Sequence, residues 1–146
     1  MKLKERFLKI AEDFSVELIF LFGSQKEKGY SLLKGEKIRD TDPLADLDVG
    51  VVFKKGAFPK KPYKNFGSLY FEFAEIFSPL KIDLVFLQET ESVLQFEAIK
   101  GICVFKKSRE ALDDYIERVL KFAADWKVMR DRIDNEFLGL GARYDK

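Results

Sequence analysis

Four short apolar segments, separated by helix-like patterns, constrain this chain more than any other feature. The first, Val16–Phe22, is almost wholly apolar and ends at Gly23. Similar segments lie at residues 47–53, 82–87 and 102–105. A strand with no polar face is expected where helices cover both sides of a sheet. We therefore predict four strands in one small mixed β-sheet.

Apolar residues at three- and four-residue spacing predict the flanking helices, over Leu3–Phe14, 69–77, 92–100 and from 109 to about 138. Residues 25–45 and 54–64 are rich in Gly, Pro and charge, and they are predicted as loops with one helical turn at 25–28. The class is α/β (α+β), with a long C-terminal helix. The chain has 146 residues, enough for one domain. We expect a core domain over 1–107 and a helical extension over 108–146 packed on it.

Composition excludes several kinds of chemistry. The chain has no histidine, which removes Ser-His-Asp and Cys-His systems and every histidine-ligated metal. A single cysteine, Cys103, excludes an internal disulfide and fits a reducing cytoplasm, where we expect the protein. The net charge of +1 provides no overall field for duplex nucleic acid. No segment approaches the length of about 20 apolar residues that crosses a membrane.

Two aspartates open the second predicted strand. Asp46 and Asp48 are two residues apart, and residues i and i+2 of a strand project from the same face. Their carboxylates therefore converge, and a hard divalent cation such as Mg²⁺ is their natural partner. The alternative is a pair of solvated surface acids.

A third aspartate, Asp83, interrupts the third apolar segment. If that strand neighbours the second, Asp83 is a third metal ligand and an acceptor for a substrate proton. The alternative is a salt-bridged strand residue. A rival acid pair, Asp40 and Asp42, is better explained as a solvated turn because Pro43 follows it.

Gly23 and Ser24 leave the first strand just before the predicted helical turn. Backbone N–H groups and the positive end of a helix bind anions at such a position, although a plain turn has the same composition.

The stretch 54–64 carries five lysines and no acid. It is predicted as a solvated loop, or as a phosphate- or RNA-facing patch in which Lys54 and Lys55 lie nearest the metal.

The order of these motifs resembles the nucleotidyltransferase fold of the DNA polymerase beta superfamily. An apolar strand precedes Gly23 and Ser24, Asp46 and Asp48 open the next strand, and Asp83 lies in a third. The chain length and the segment 96–105 are similar to the minimal nucleotidyltransferases, the antitoxins of HEPN/MNT toxin–antitoxin pairs. The resemblance covers about residues 3–107. The chain departs from the pattern in its longer 25–45 segment, in Gly29 standing one position late, and in Ala45 before the first acid.

The resemblance implies an activity, a cofactor and a partner. Gly23 and Ser24 would hold the triphosphate of ATP or another nucleotide, Asp46 and Asp48 would bind Mg²⁺, and Asp83 would complete the catalytic site. Relatives of this kind transfer AMP to a tyrosine of a HEPN ribonuclease. Two hypotheses stay open: an enzyme that adenylylates such a partner, and a catalytically weak module that neutralises it by occlusion.

Two further expectations concern size and the closing helix. Small-molecule modification and RNA extension usually need a further domain, for which this chain has little room. The closing helix is longer than a domain of this size needs. Its distal part, 126–138, is expected to contact a partner chain or a second copy.

Overall fold

The structure is a computed structural model that describes residues 2–39 and 42–138. Within those residues the chain forms five α-helices, four β-strands and one 3₁₀ turn at Leu87–Glu89. The helices are α1 (Leu3–Phe14), α2 (Lys26–Leu33), α3 (Pro62–Ile76), α4 (Ser92–Ile99) and α5 (Arg109–Leu138). The strands are β1 (Val16–Phe22), β2 (Asp46–Phe53), β3 (Lys81–Phe86) and β4 (Ile102–Lys106).

The four strands form one sheet in the order β3-β2-β1-β4. Strand β1 is antiparallel to β2 and to β4, whereas β2 and β3 are parallel. A hairpin cannot join parallel strands, so the chain crosses from β2 to β3 through α3. The predicted α/β class, with a small mixed sheet and a long C-terminal helix, is confirmed.

Both faces of the sheet are covered. On one face, Phe7 of α1 and Leu69 and Phe73 of α3 pack against the first three strands. On the other face, Ala98 of α4 and Tyr115 of α5 belong to a second buried cluster with alternate residues of β1. Coverage on both sides explains why β1 is buried along nearly its whole length, whereas exposed and buried residues alternate at the start of β3.

Two predicted loops contain helical structure. The helical turn at 25–28 continues as α2 to Leu33, and α3 begins at Pro62 rather than at residue 69. Proline is well accommodated in the first turn of a helix because its missing N–H has no partner there. Leu69 is the first buried residue of α3, so the apolar periodicity that marks the helix starts two turns late.

The closing helix starts at a side-chain cap and crosses the second face of the sheet. The backbone N–H of Ala111 donates to Ser108 Oγ at 3.0 Å, as a capping serine does. Thirty residues extend about 45 Å. The predicted stop at Gly139 and Gly141 lies outside the described residues. Among the described residues, no helix combines the length and the apolar character needed to cross a membrane.

The aromatic residues of α3 allow a direct test of the core. Phe73 is fully buried, whereas Phe71 is 68% exposed on the same helix. We expect Phe73→Ala to lower the free energy of unfolding by about 3–5 kcal/mol, since it empties a packed site. Phe71→Ala should change it by at most about 0.5 kcal/mol. Equal losses in urea denaturation would contradict this packing.

Candidate metal and nucleotide site

The strand register brings the three predicted acids to one end of the sheet. Asp48 of β2 is the direct partner of Asp83 of β3, and Asp46 is paired with Lys81. Buried Leu47 and Val49 occupy the opposite face of β2, so Asp46 and Asp48 project together toward the face that carries α4 and α5. Neighbouring strands are about 4.8 Å apart, which places Asp83 beside Asp48. The condition set for Asp83 as a third ligand, a neighbouring strand, is met.

Gly23, directly after the end of β1, lies against the carboxylate of Asp48. Strand β1 ends at Phe22, the register partner of Asp48. Gly23 follows with φ +80°, a left-handed conformation that favours glycine. A Cβ added there would overlap Asp48 Oδ2 and lie 3.2 Å from Asp48 Cγ. The absent side chain is therefore what allows β1 to leave the sheet beside Asp48.

Ser24 and the start of α2 complete this end of the sheet. Ser24 is exposed, and its Oγ accepts a hydrogen bond from Gln25 Nε2 at 3.2 Å. Helix α2 starts at Lys26, and no side chain caps its N-terminus. Uncapped backbone N–H groups and the positive helix end attract an anion such as a phosphate.

Gly29, which stands one position late relative to the family pattern, allows α2 to pack closely on the sheet. A Cβ on Gly29 would lie 2.8 Å from Leu47 Cδ2 and 3.1 Å from Leu21 Cδ1. The helix therefore packs directly on β1 and β2, the two strands that carry the site. Leu32 and Leu33 pack against the same core, but Gly29 gives no apolar signal at the closest position of the helix.

The electrostatics of the acid group are unfavourable without a cation. Burial, and then the charges of Asp83 and Asp46, raise the pKa of Asp48 to about 6. Burial has this effect because it penalises the charged carboxylate, and neighbouring negative charges add to the penalty. A bound divalent cation would reverse both effects.

The donor set fits Mg²⁺ in chemistry, although the side chains are not gathered into a closed set of ligands. All three groups are carboxylates, which are the protein ligands that Mg²⁺ prefers, and the chain has no histidine to favour a softer metal. In the part of the chain that the structure describes, no group of three Asp, Glu or Cys side chains is close enough to hold one ion. Asp46 and Asp83 are exposed, so packing does not hold these two side chains in their present rotamers.

The pKa of Asp48 leads to a pH prediction. The folded chain holds this proton more tightly than the unfolded chain does, because the pKa rises from 3.8 to about 6. Metal-free stability should therefore fall as the pH rises from about 4 to about 6.

Metal binding needs the ionised carboxylate, so affinity for Mn²⁺ should be roughly tenfold lower at pH 5 than at pH 7. Calorimetry on the wild type and on Asp48→Asn tests this, and the same affinity at both pH values would contradict it.

Two other predictions have different outcomes. Asp42 accepts the N–H of Leu44 on Oδ1 at 2.8 Å, which confirms the predicted turn, while Asp40 and Thr41 lie outside the described residues. The alternative for the lysine stretch, a phosphate- or RNA-facing patch with Lys54 and Lys55 nearest the metal, is not favoured by the topology. These two lysines follow the far end of β2, and the six residues from Asp48 to Lys54 span roughly 20 Å.

The fold is that of a nucleotidyltransferase domain. The family model described as polymerase beta, nucleotidyltransferase, matches residues 5–110, so the chain belongs to this family. No curated protein matches the chain.

Solved structures with low sequence identity share the fold. A toxin–antitoxin complex with AMP-PNP is 19% identical, with a TM-score of 0.60 over 93% of this chain and 98% of that chain. A tri-AMPylated Shewanella oneidensis HEPN toxin in complex with an MNT antitoxin gives 17% identity, a TM-score of 0.59, and coverage of 94% and 99%. A MntA–HepT toxin–antitoxin structure gives 14% identity, a TM-score of 0.57, and coverage of 92% and 96%.

Proposed function

We propose that this protein is a Mg²⁺-dependent nucleotidyltransferase that transfers AMP from ATP to a hydroxyl of a HEPN-type partner protein, and so acts as an antitoxin. The observation that carries the proposal is the register that sets Asp48 beside Asp83, with Gly23 against Asp48. The fold shared with toxin–antitoxin structures, one of them with AMP-PNP and one with an AMPylated HEPN toxin, supports the choice of donor and acceptor.

Each residue has a role in this proposal. Asp46 and Asp48 would hold Mg²⁺, with Asp83 as the third carboxylate. Ser24 and the N-terminus of α2 would bind the triphosphate, and Gly23 lets the phosphates approach the acids. When bound, Mg²⁺ supplies positive charge that stabilises the negative charge developing during transfer.

The transfer itself is an in-line substitution at phosphorus. The hydroxyl oxygen of the partner forms a bond to the α-phosphorus of ATP, and the bond from that phosphorus to the oxygen bridging the β-phosphate breaks. Pyrophosphate leaves with the electron pair. The hydroxyl proton passes to a carboxylate, because the chain has no histidine to take it, and Asp83 is the exposed acid beside Asp48. Most of the rate then comes from positioning and charge neutralisation.

The alternative, neutralisation by occlusion without catalysis, is favoured by one observation. The three carboxylates are adjacent in register but not gathered around one point among the described side chains. A nucleotidyltransferase domain that binds its partner without transferring AMP would not need them to be.

Asp46→Asn separates the two functions. The partner protein is incubated with ATP, MgCl₂ and the purified chain, and its mass and ribonuclease activity are then measured. We expect the wild type to add AMP and to silence the ribonuclease, and Asp46→Asn to do neither. Asp13→Asn, an exposed acid at the far end of the sheet, is the control that keeps both properties. Silencing by Asp46→Asn without AMP addition would favour occlusion.

The surface that meets the partner stays a prediction, as do the domain division at residue 107 and the cytoplasmic location. The first turns of α5 pack through Leu112, Tyr115 and Val119, while Phe122 is 65% exposed beyond them. We propose that residues 126–138 contact the partner or a second copy. A monomer by light scattering, with this helix fully protected in hydrogen exchange, would contradict the proposal.

A further inference from the structure

Gln25 occupies an unusual position for an amide side chain. It follows Ser24 directly and stands at the N-cap position of α2. Its side chain is buried at 9% exposure, whereas Ser24 and Glu27 on either side are exposed. Gln25 therefore lies beneath the surface on which a nucleotide would rest.

The hydrogen bonds of Gln25 are incomplete. Its Nε2 donates to Ser24 Oγ at 3.2 Å. Its Oε1 is buried and has no hydrogen-bond partner among the described residues. A buried polar atom without a partner is unfavourable, and an apolar side chain of the same length, such as methionine, would avoid the penalty. Such local conflicts are expected at functional positions.

The bond to Ser24 decides what its hydroxyl is able to do. A serine hydroxyl has one donor and two acceptor lone pairs. The amide of Gln25 occupies one lone pair, so the hydroxyl proton is directed away from Gln25. Because Ser24 is exposed beside Gly23, this proton is available to an incoming acceptor. A phosphate oxygen is such an acceptor, and charge makes the resulting bond stronger than a neutral one.

We infer that Gln25 is a positioning residue of the nucleotide site, which orients the Ser24 hydroxyl so that its proton is donated to a phosphate of the nucleotide. The inference rests on the proposed function. Gln25 acts through Ser24 and does not itself touch the nucleotide. Its side chain favours nucleotide binding through Ser24, while its unpartnered Oε1 lowers the stability of the folded chain.

A double-mutant cycle tests this dependence. The dissociation constant for ATP in the presence of MgCl₂ is measured by calorimetry for the wild type, Ser24→Ala, Gln25→Met and the double variant. We expect Ser24→Ala to weaken binding roughly tenfold, as for the loss of a hydrogen bond to a charged group. Gln25→Met should weaken it by roughly three- to tenfold, and the double variant should bind like Ser24→Ala because the shared bond is already lost.

Thermal stability distinguishes positioning from a structural role. Gln25→Met should melt at the same temperature as the wild type or higher, since the unpartnered Oε1 is removed. The control is Gln95→Met, because Gln95 accepts from Tyr115 and donates to Thr90 O in the contact between α4 and α5. This variant should melt at a lower temperature and bind ATP normally.

A second substitution keeps the test decisive if Gln25→Met folds poorly. Gln25→Glu has nearly the same shape, but its carboxylate accepts the Ser24 proton and turns it away from the phosphate. It should weaken ATP binding at least as much as Gln25→Met. Wild-type affinity in both variants, or effects that multiply in the double variant, would overturn the inference alone. A wild type without affinity for ATP would overturn the proposed function, and the inference with it.

Discussion

Asp48→Asn is expected to abolish AMP transfer while the chain stays at least as stable as the wild type. Asparagine has the same shape, but its neutral amide lacks the negative charge that holds a divalent cation. Loss of such a group lowers the rate by about two to three orders of magnitude or more. Transfer of labelled AMP to the partner measures the effect.

Stability distinguishes this result from misfolding. Burial and the nearby acids raise the pKa of Asp48 to about 6, so the charge that Asp48 carries at neutral pH lowers the stability of the folded chain. Removing the charge should leave the melting temperature in EDTA unchanged or raise it. Asp113→Asn, an exposed acid of α5, should change neither property. Retained transfer in Asp48→Asn would contradict the assigned role, and a large drop in melting temperature would contradict the electrostatic account.

Gly23→Ala should eliminate nucleotide binding and destabilise the chain at the same time. The left-handed backbone at φ +80° costs an alanine about 1–2 kcal/mol. The added Cβ also overlaps the carboxylate of Asp48, which would have to move out of its place in the site. We expect a total loss of about 2 kcal/mol or more in urea denaturation, and no measurable affinity for ATP with MgCl₂.

Two other glycines separate these effects. Gly35 and Gly56 share the left-handed backbone, with φ of 81° at each, but a Cβ at either meets no atom within 4 Å. Gly35→Ala and Gly56→Ala should therefore show only the backbone penalty and bind ATP normally. If Gly23→Ala binds ATP like these two controls, the contact between Gly23 and Asp48 has no functional meaning.

The strands were largely predictable because their signals are local, and the same local pattern indicated Asp46 and Asp48 as candidate ligands. Val16–Phe22 is apolar except for Glu17, and Asp46 and Asp48 open an otherwise apolar segment at two-residue spacing. The pairing of β2 with β3 was not predictable, since strand order depends on contacts between distant segments. The sequence therefore indicated Asp83 only conditionally, and the register supplied its neighbour.

The length of helix α2 and the burial of Gln25 were missed for physical reasons. The residue of α2 that touches the sheet most closely is Gly29, which adds nothing to an apolar stripe. Gln25 is polar, so the sequence suggests that it faces solvent, whereas the structure buries it beneath Ser24. A position that contradicts its local pattern is visible only once the fold is known.

The most direct test of the metal and nucleotide site is the melting temperature of the purified chain with ATP, with MgCl₂, and with both. A ligand that binds only the folded chain raises the melting temperature by mass action. We predict a rise that needs both ligands together and is absent in Asp46→Asn. An equal rise in Asp46→Asn, or no rise in the wild type at millimolar ligand, would contradict a nucleotide site built on Gly23, Ser24 and the three aspartates.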